Sequence, residues 1–126
     1  MNSVEKELIN HIIDNLDYYN ETSIDDLHHN LFNQQLYVTY YSECEKWIKK
    51  HDLSVFDMNR EIQQYETEQF GELYTDLGSS EKVVSMYAYI LGEEILYNLD
   101  SFQKYSNTEL TEEIIEEMKE ELNELL

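Results

Sequence analysis

The sequence has no proline, three glycines and a single cysteine. Without proline, no residue forces a break inside a helix. The glycines at positions 71, 78 and 92 are too scattered to form a phosphate-binding loop. The single cysteine, Cys44, excludes an intramolecular disulfide and fits a reducing compartment. The absences therefore favour a helical protein without a nucleotide-binding motif.

Long hydrophobic runs are also missing. The longest apolar stretch, residues 79–99, contains Lys82, Glu93 and Glu94 and is too interrupted for a membrane span. The N-terminus shows no basic region followed by an apolar run, so we expect no signal peptide and a cytoplasmic location.

Basic residues are scarce: eight Lys and Arg stand against 28 Asp and Glu, giving a net charge of −20. Solubility alone needs only a few units in a small domain. Phosphate repulsion makes nucleic acid and anionic membranes poor direct partners. A basic protein surface is the partner that this charge predicts.

The 41% hydrophobic content indicates a folded chain, and 126 residues suit one domain spanning residues 1–126. Residues 79–99 are apolar on most sides, which predicts a buried central helix. The fold expected is mainly α, a compact bundle of five to six helices around residues 79–99. Other helices are predicted at about 4–19, 23–32, 39–51 and 54–70, and from 108 or 111 to 126, with a turn at 20–22, a loop at 71–78 and a connection at 100–107.

Two local patterns refine this prediction. Ser54, followed by Asp57, is a typical N-cap, and Gly71 is a typical helix stop. Ser23 resembles a second N-cap. Alternation at residues 36–40 leaves open a short two-stranded element formed with residues 72–75.

No residue set predicts catalysis. His28 and His29 follow Asp25 and Asp26 at the acid-then-histidine spacing of di-metal carboxylate bundles, but no second copy of that motif exists. Cys44 has acidic neighbours, which disfavour a reactive thiolate. We expect no catalytic residues, no metal and no cofactor, although weak cation binding by clustered carboxylates stays open. The protein is not expected to be an enzyme.

The acidic helix faces are the strongest functional signal. A charge run is usually a solvated face, but here compensating basic residues at i+4 are mostly missing. A glutamate stripe on the C-terminal helix has a spacing of roughly 5–6 Å, similar to that of phosphates along a nucleic-acid strand. The predicted partner-binding residues are Glu112, Glu113, Glu116, Glu117, Glu120 and Glu124 on this helix, Asp57, Glu61, Glu66 and Glu68 on helix 54–70, and the tyrosines Tyr40 and Tyr41.

In size, charge and helix content the whole chain resembles the small, acidic, mainly helical DNA-mimic inhibitors of phages and mobile elements, the Ocr-like antirestriction class. No motif aligns, so no functional residue is transferred. The resemblance implies a non-enzymatic anti-defence inhibitor in the host cytoplasm. It would occupy the basic nucleic-acid-binding cleft of a host protein, such as a restriction enzyme or a CRISPR effector.

Two other hypotheses remain. An acidic adaptor or assembly protein would bind a partner helix through exposed tyrosines and the apolar seam of the C-terminal helix. Adaptation to high salt would also explain the charge. A homodimer is left open.

Overall fold

A computed structural model of the protein describes residues 3–32, 44–72 and 80–126, without the side chains of residues 80 and 81. These residues form seven α-helices, one 3-10 helix and no strand, so the mainly α class is confirmed. The proposed strand pair, 36–40 with 72–75, falls almost entirely outside the described residues. The elements are α1 (Ser3–Asn15), a 3-10 helix (Leu16–Tyr19), α2 (Ile24–Leu31), α3 (Cys44–Lys50), α4 (Val55–Phe70), α5 (Ser80–Tyr97), α6 (Asp100–Lys104) and α7 (Glu112–Leu125).

The contacts divide the chain into two compact units. The first unit joins Met1–Asn33 to Leu91–Leu126, and the second is Gln34–Ile90. Helix α5 therefore contributes its first part to the second unit and its last residues to the first. That the two units unfold together as one domain stays a prediction.

The core of the first unit is built from apolar stripes with helical spacing. Because the apolar residues recur three or four positions apart, each helix turns one face inward and leaves its polar face in solvent. The buried residues are Val4, Leu8, Ile9 and Ile12 on α1, Ile24, Leu27 and Leu31 on α2, and Ile114, Ile115, Met118 and Leu122 on α7.

A short antiparallel contact joins the segments that precede α2 and α7. The Glu21 amide donates to the Leu110 carbonyl at 3.0 Å, and the Leu110 amide donates to the Thr22 carbonyl at 2.8 Å. This pairing of residues 21–24 with 108–110 is not visible in the sequence pattern. It places the starts of the two helices side by side.

Ser23 occupies the predicted N-cap of α2, but its side chain makes no capping hydrogen bond. Instead, its carbonyl accepts from the Asp26 amide at 3.1 Å. The predicted side-chain cap is therefore wrong, and the backbone pairing beside it holds the helix start.

Helices α1 and α2 are tied together by side-chain hydrogen bonds. His11 Nε2 lies 3.0 Å from the Leu31 carbonyl, and Asn15 Nδ2 lies 3.3 Å from His11 Nδ1. A neutral imidazole with its proton on Nε2 satisfies both contacts. The Tyr19 hydroxyl donates to the Asn30 carbonyl at 3.0 Å.

Gly92 permits a close approach inside the first unit. A Cβ atom there would lie 2.5 Å from carbons of the buried Phe32 ring. Helix α5 continues through Gly92. The missing side chain at this position makes room for the Phe32 ring.

In the second unit, α4 begins and ends as predicted. Ser54 Oγ accepts a hydrogen bond from the Asp57 amide at 3.3 Å. Gly71 has a φ of 77°, in the left-handed region, and its amide donates to the Thr67 carbonyl at 2.9 Å.

The predicted connection at 100–107 is partly wrong, because residues 100–104 form the short helix α6. Ser101 and Phe102 are buried there. The Glu121 carboxylate accepts hydrogen bonds from the Ser101 amide at 3.1 and 3.2 Å and from the Ser101 hydroxyl. A distant glutamate thus satisfies the first turn of α6, which local sequence could not reveal.

Among the described residues, no helix combines the length and apolar character needed to cross a membrane.

Candidate functional site

Helix α7 separates its charges sharply from its apolar residues. Its side chains Ile114, Ile115, Met118 and Leu122 are buried. All six glutamates predicted on this helix are exposed, and we call them the α7 acidic face: Glu112, Glu113, Glu116, Glu117, Glu120 and Glu124.

The one basic residue of α7 is engaged elsewhere. Lys119 donates to Asp17 Oδ2 at 2.8 Å, and its side chain is 20% exposed. Its charge is therefore shared with a carboxylate outside the α7 acidic face. This leaves the six glutamates without a cation on their own helix face.

One member of the face has a described polar partner. The Tyr105 hydroxyl donates to Glu117 Oε1 at 3.0 Å. Lys104 Nζ lies 4.9 Å from the centre of the Tyr105 ring. Hydrogen bonding to Tyr105 raises the pKa of Lys104, and the nearby Glu117 charge adds to the effect. The Lys104 charge moderates the potential near Glu117.

Helix α4 carries the second predicted acidic face, and there one prediction is wrong. Asp57, Glu61 and Glu68 are exposed, but Glu66 is 2% exposed. Glu66 falls four residues after Ile62, and it continues the buried stripe of α4. It cannot present its carboxylate to a partner on the surface.

The exposed acids of α4 also have close polar neighbours. Arg60 lies 3.7 Å from Asp57, and the Gln64 amide donates to Glu68 at 3.1 Å. Helix α4 belongs to the second unit and α7 to the first. We therefore treat their acidic faces as separate surfaces.

The predicted anchors Tyr40 and Tyr41 lie outside the described residues. At a second pair of adjacent tyrosines, Tyr18 is 81% exposed and Tyr19 is half-buried. Phe56, at 72%, is a further exposed ring that helical spacing did not single out.

A groove with an aliphatic floor opens in the first unit. Its volume is about 410 Å³. It is lined by Leu91 and Ile95 of α5, by Leu99, which directly precedes α6, and by Leu125 of α7. Leu99 is buried, Leu91 and Ile95 are half-buried, and Leu125 is 43% exposed.

Carboxylates surround this floor. They are Glu5 of α1, Glu94 of α5, Asp100 of α6, and Glu121 and Glu124 of α7. None of the described residues that line the cavity is basic. We call this cavity the acidic groove; the sequence pattern did not predict it, because its residues come from four helices.

Aromatic residues cluster elsewhere in the first unit. The rings of Tyr97 and Phe102 have centres 4.9 Å apart. Burial raises the pKa of Tyr97, and the negative charges of Glu93 and Asp25 raise it further. Both effects disfavour the phenolate, so this ring acts as a neutral packing group.

The histidines considered as metal ligands are not brought together. His28 is buried, with ring contacts to Phe32 and Tyr97, and its Nδ1 lies 3.9 Å from Glu93. His29 is exposed. Within the described part of the chain, no group of three or more His, Cys, Asp or Glu side chains is arranged to hold a metal ion.

Comparisons with protein-family models, with curated proteins and with solved structures yield no match. The function is therefore inferred from the chemistry of the residues.

Proposed function

We propose that the protein is a non-enzymatic inhibitor that occupies the basic nucleic-acid-binding cleft of a host protein. The observation that carries this proposal is the α7 acidic face. Six glutamates are exposed along one helix whose opposite side is buried. The resemblance to phage-type DNA mimics points to an anti-defence role in the host cytoplasm.

The geometry of the face suits mimicry of a phosphate strand. Glu113, Glu117, Glu120 and Glu124 follow one another at three- and four-residue spacing, which separates neighbouring side chains by roughly 5–6 Å. They belong to one stable helix, so a basic cleft meets a pre-ordered row of charges. Pre-ordering reduces the entropy lost on binding.

The charge also favours rapid encounter. A surface with one sign of charge steers an oppositely charged partner and raises the association rate. The same charge repels free nucleic acid. The protein therefore competes with nucleic acid for the cleft without binding it.

Part of the binding surface that the adaptor hypothesis requires is buried. The apolar seam proposed to bind a partner helix contains Ile115, Met118 and Leu122, and all three are buried in the chain itself. Only Leu125 and Leu126 at the end of α7 are exposed, at 43% and 47%.

A competition assay tests the proposed function. The protein is immobilised, a captured host protein is purified, and its binding to labelled DNA or RNA is measured by fluorescence anisotropy at rising inhibitor concentration. We expect loss of nucleic-acid binding, and we expect inhibition to weaken with salt. The salt effect should be smaller than the roughly 10³–10⁵ loss between 50 and 200 mM for a protein making about 6–10 phosphate contacts.

Two variants with matched charge removal separate the faces. One carries Glu113→Gln, Glu120→Gln and Glu124→Gln on α7. The control carries Asp57→Asn, Glu61→Gln and Glu68→Gln on α4. We expect the α7 variant to inhibit more weakly, mainly through slower association, and the α4 variant to inhibit nearly as well as the unaltered protein.

The proposal fails if the captured protein binds no nucleic acid, or if it binds nucleic acid undisturbed at saturating inhibitor. Equal losses in the two variants would mean that total charge, and not the α7 acidic face, drives binding.

A further inference from the structure

We propose that the acidic groove of the first unit binds a short basic peptide segment that inserts an aliphatic or aromatic side chain. This inference goes beyond nucleic-acid mimicry because it assigns a groove that shares only Glu124 with the α7 acidic face, and a different ligand chemistry. It does not depend on the proposed function.

The groove draws matched residues from two helices. Helix α5 contributes Leu91, Glu94 and Ile95, and α7 contributes Glu124 and Leu125. On α5 these residues are three and four positions apart and share a helix face, and on α7 Leu125 follows Glu121, which also lines the cavity, by four positions. Each helix therefore offers aliphatic and acidic side chains to one cavity. Such a pairing suits a ligand with an apolar centre and cationic flanks.

The aliphatic floor supplies a reason for binding. Leu91 and Ile95 are half-buried, and Leu125 is 43% exposed. Covering this surface with an apolar side chain removes it from water. The volume of about 410 Å³ lies within the range of ligand pockets, about 300–1,000 Å³.

The carboxylates around the floor favour a ligand with cationic side chains on either side of its apolar centre. Glu5, Glu94, Asp100 and Glu124 surround the floor, and the fifth carboxylate, Glu121, already accepts hydrogen bonds from Ser101. A neutral or anionic apolar ligand would bring no cation to them. Arg and Lys side chains can lay their aliphatic stems on apolar surface while their charged ends reach carboxylates.

Fluorescence anisotropy with a defined probe tests the inference. The probe is a fluorescein-labelled peptide of about ten residues with two leucines at i and i+4, four arginines and alanine elsewhere. Two control peptides replace the leucines with serine or the arginines with glutamine. We expect saturable binding of the probe and at least about tenfold weaker binding of either control.

Protein variants locate the site. Glu94→Lys should weaken binding of the probe at least about tenfold, whereas Glu61→Lys should weaken it less than about threefold. Both substitutions change the charge of an exposed helical glutamate, and Glu61 lies in the second unit. Leu125→Ser should also weaken binding. Because Leu125 is 43% exposed, we expect this variant to keep its fold, which circular dichroism checks.

Three outcomes would overturn the inference. The leucine and serine peptides could bind equally, which would show charge attraction without an apolar site. Glu94→Lys and Glu61→Lys could weaken binding equally, which would place the peptide outside the groove. The probe could fail to bind, which would show that the groove does not take such a peptide. If the protein then forms a dimer that Ile95→Glu dissociates, the groove is a contact between copies of the chain.

The assay contains no nucleic acid, and Glu94 and Leu125 lie outside the α7 acidic face. Failure here therefore leaves the proposed inhibition intact, and failure of that competition assay leaves the peptide site intact.

Discussion

Helices α4 and α7 both carry several acidic residues but place them differently relative to the core. On α7 six glutamates are exposed along a helix whose apolar side is buried. On α4 three acids are exposed, two of them have close polar neighbours, and Glu66 is buried. Acidic composition therefore does not by itself define an acidic surface. The position of each carboxylate relative to the buried stripe decides what it can do.

Placing a glutamate at the buried position next to Glu117 should cause the largest loss of stability. Met118 is fully buried between the exposed Glu117 and Glu120 positions. We expect Met118→Glu to destabilise the protein by more than about 4 kcal/mol, because it buries a carboxylate in the apolar core. Urea unfolding followed by circular dichroism measures this loss.

Asn123→Glu is the matched control. It adds the same charge at an exposed position of α7, so its effect should stay within about 0.5 kcal/mol. If both variants unfold at the same urea concentration, side-chain burial does not separate the two sides of α7.

Within α4, the buried glutamate should differ from its exposed neighbour. We expect Glu66→Ala to cost about 1–3 kcal/mol, because truncation leaves a cavity and unmet polar contacts. Glu61→Ala should cost less than about 0.5 kcal/mol. Equal unfolding midpoints in urea would contradict the assignment of Glu66 to the buried stripe.

Local sequence patterns predict much of the difference between α4 and α7. The apolar stripe of α7 and the start and end of α4, at Ser54 and Gly71, follow from spacing and capping chemistry, which act over a few residues. The exposed positions of the α7 acidic face follow from the same stripe. These features needed no knowledge of distant contacts.

Features that depend on distant contacts were missed. The sequence gives no local sign that Glu121 binds Ser101, that Gly92 makes room for Phe32, or that residues 21–24 pair with 108–110. Glu66 was misplaced because a charged residue on a buried stripe was expected to face solvent. The acidic groove was missed because it exists only after several helices meet.

Alkaline pH should destabilise the protein through two tyrosines of the first unit. Burial raises the pKa of Tyr19, and burial with nearby carboxylates raises that of Tyr97, above the ordinary value of 10.0. A raised folded-state pKa means that the folded protein holds these protons more tightly than the unfolded chain. Their contribution is fully present below pH 10.0 and is lost as pH rises through the folded-state pKa values.

Urea unfolding between pH 8 and 11 should therefore show stability falling as the pH passes about 10. Tyr97→Phe should make that fall shallower, because it removes one of the two hydroxyls whose pKa is raised. A fall of equal steepness in Tyr97→Phe and the unaltered protein would remove Tyr97 as a cause.

Salt should change the stability least. Its effect on the melting temperature shows how much each acidic face contributes to self-repulsion. A net charge of −20 opposes compaction, and exposed charges are screened over about 10 Å at 0.1 M salt. We expect the melting temperature to rise by roughly 2–5 °C between low and moderate salt, corresponding to about 0.5–1 kcal/mol. A fall would show that favourable ion pairs outweigh repulsion.

The two triple variants separate the contributions to this salt response. Removing the charges of Glu113, Glu120 and Glu124 should raise the melting temperature at low salt and reduce its salt dependence, because none of the three forms a described ion pair. Removing the charges of Asp57, Glu61 and Glu68 should do less, since Arg60 lies beside Asp57 and Gln64 donates to Glu68. Differential scanning calorimetry at two salt concentrations measures both. If the melting temperature of the α4 variant rises more than that of the α7 variant, charge repulsion is concentrated in the second unit. The α7 acidic face then contributes less to self-repulsion than its six exposed glutamates indicate.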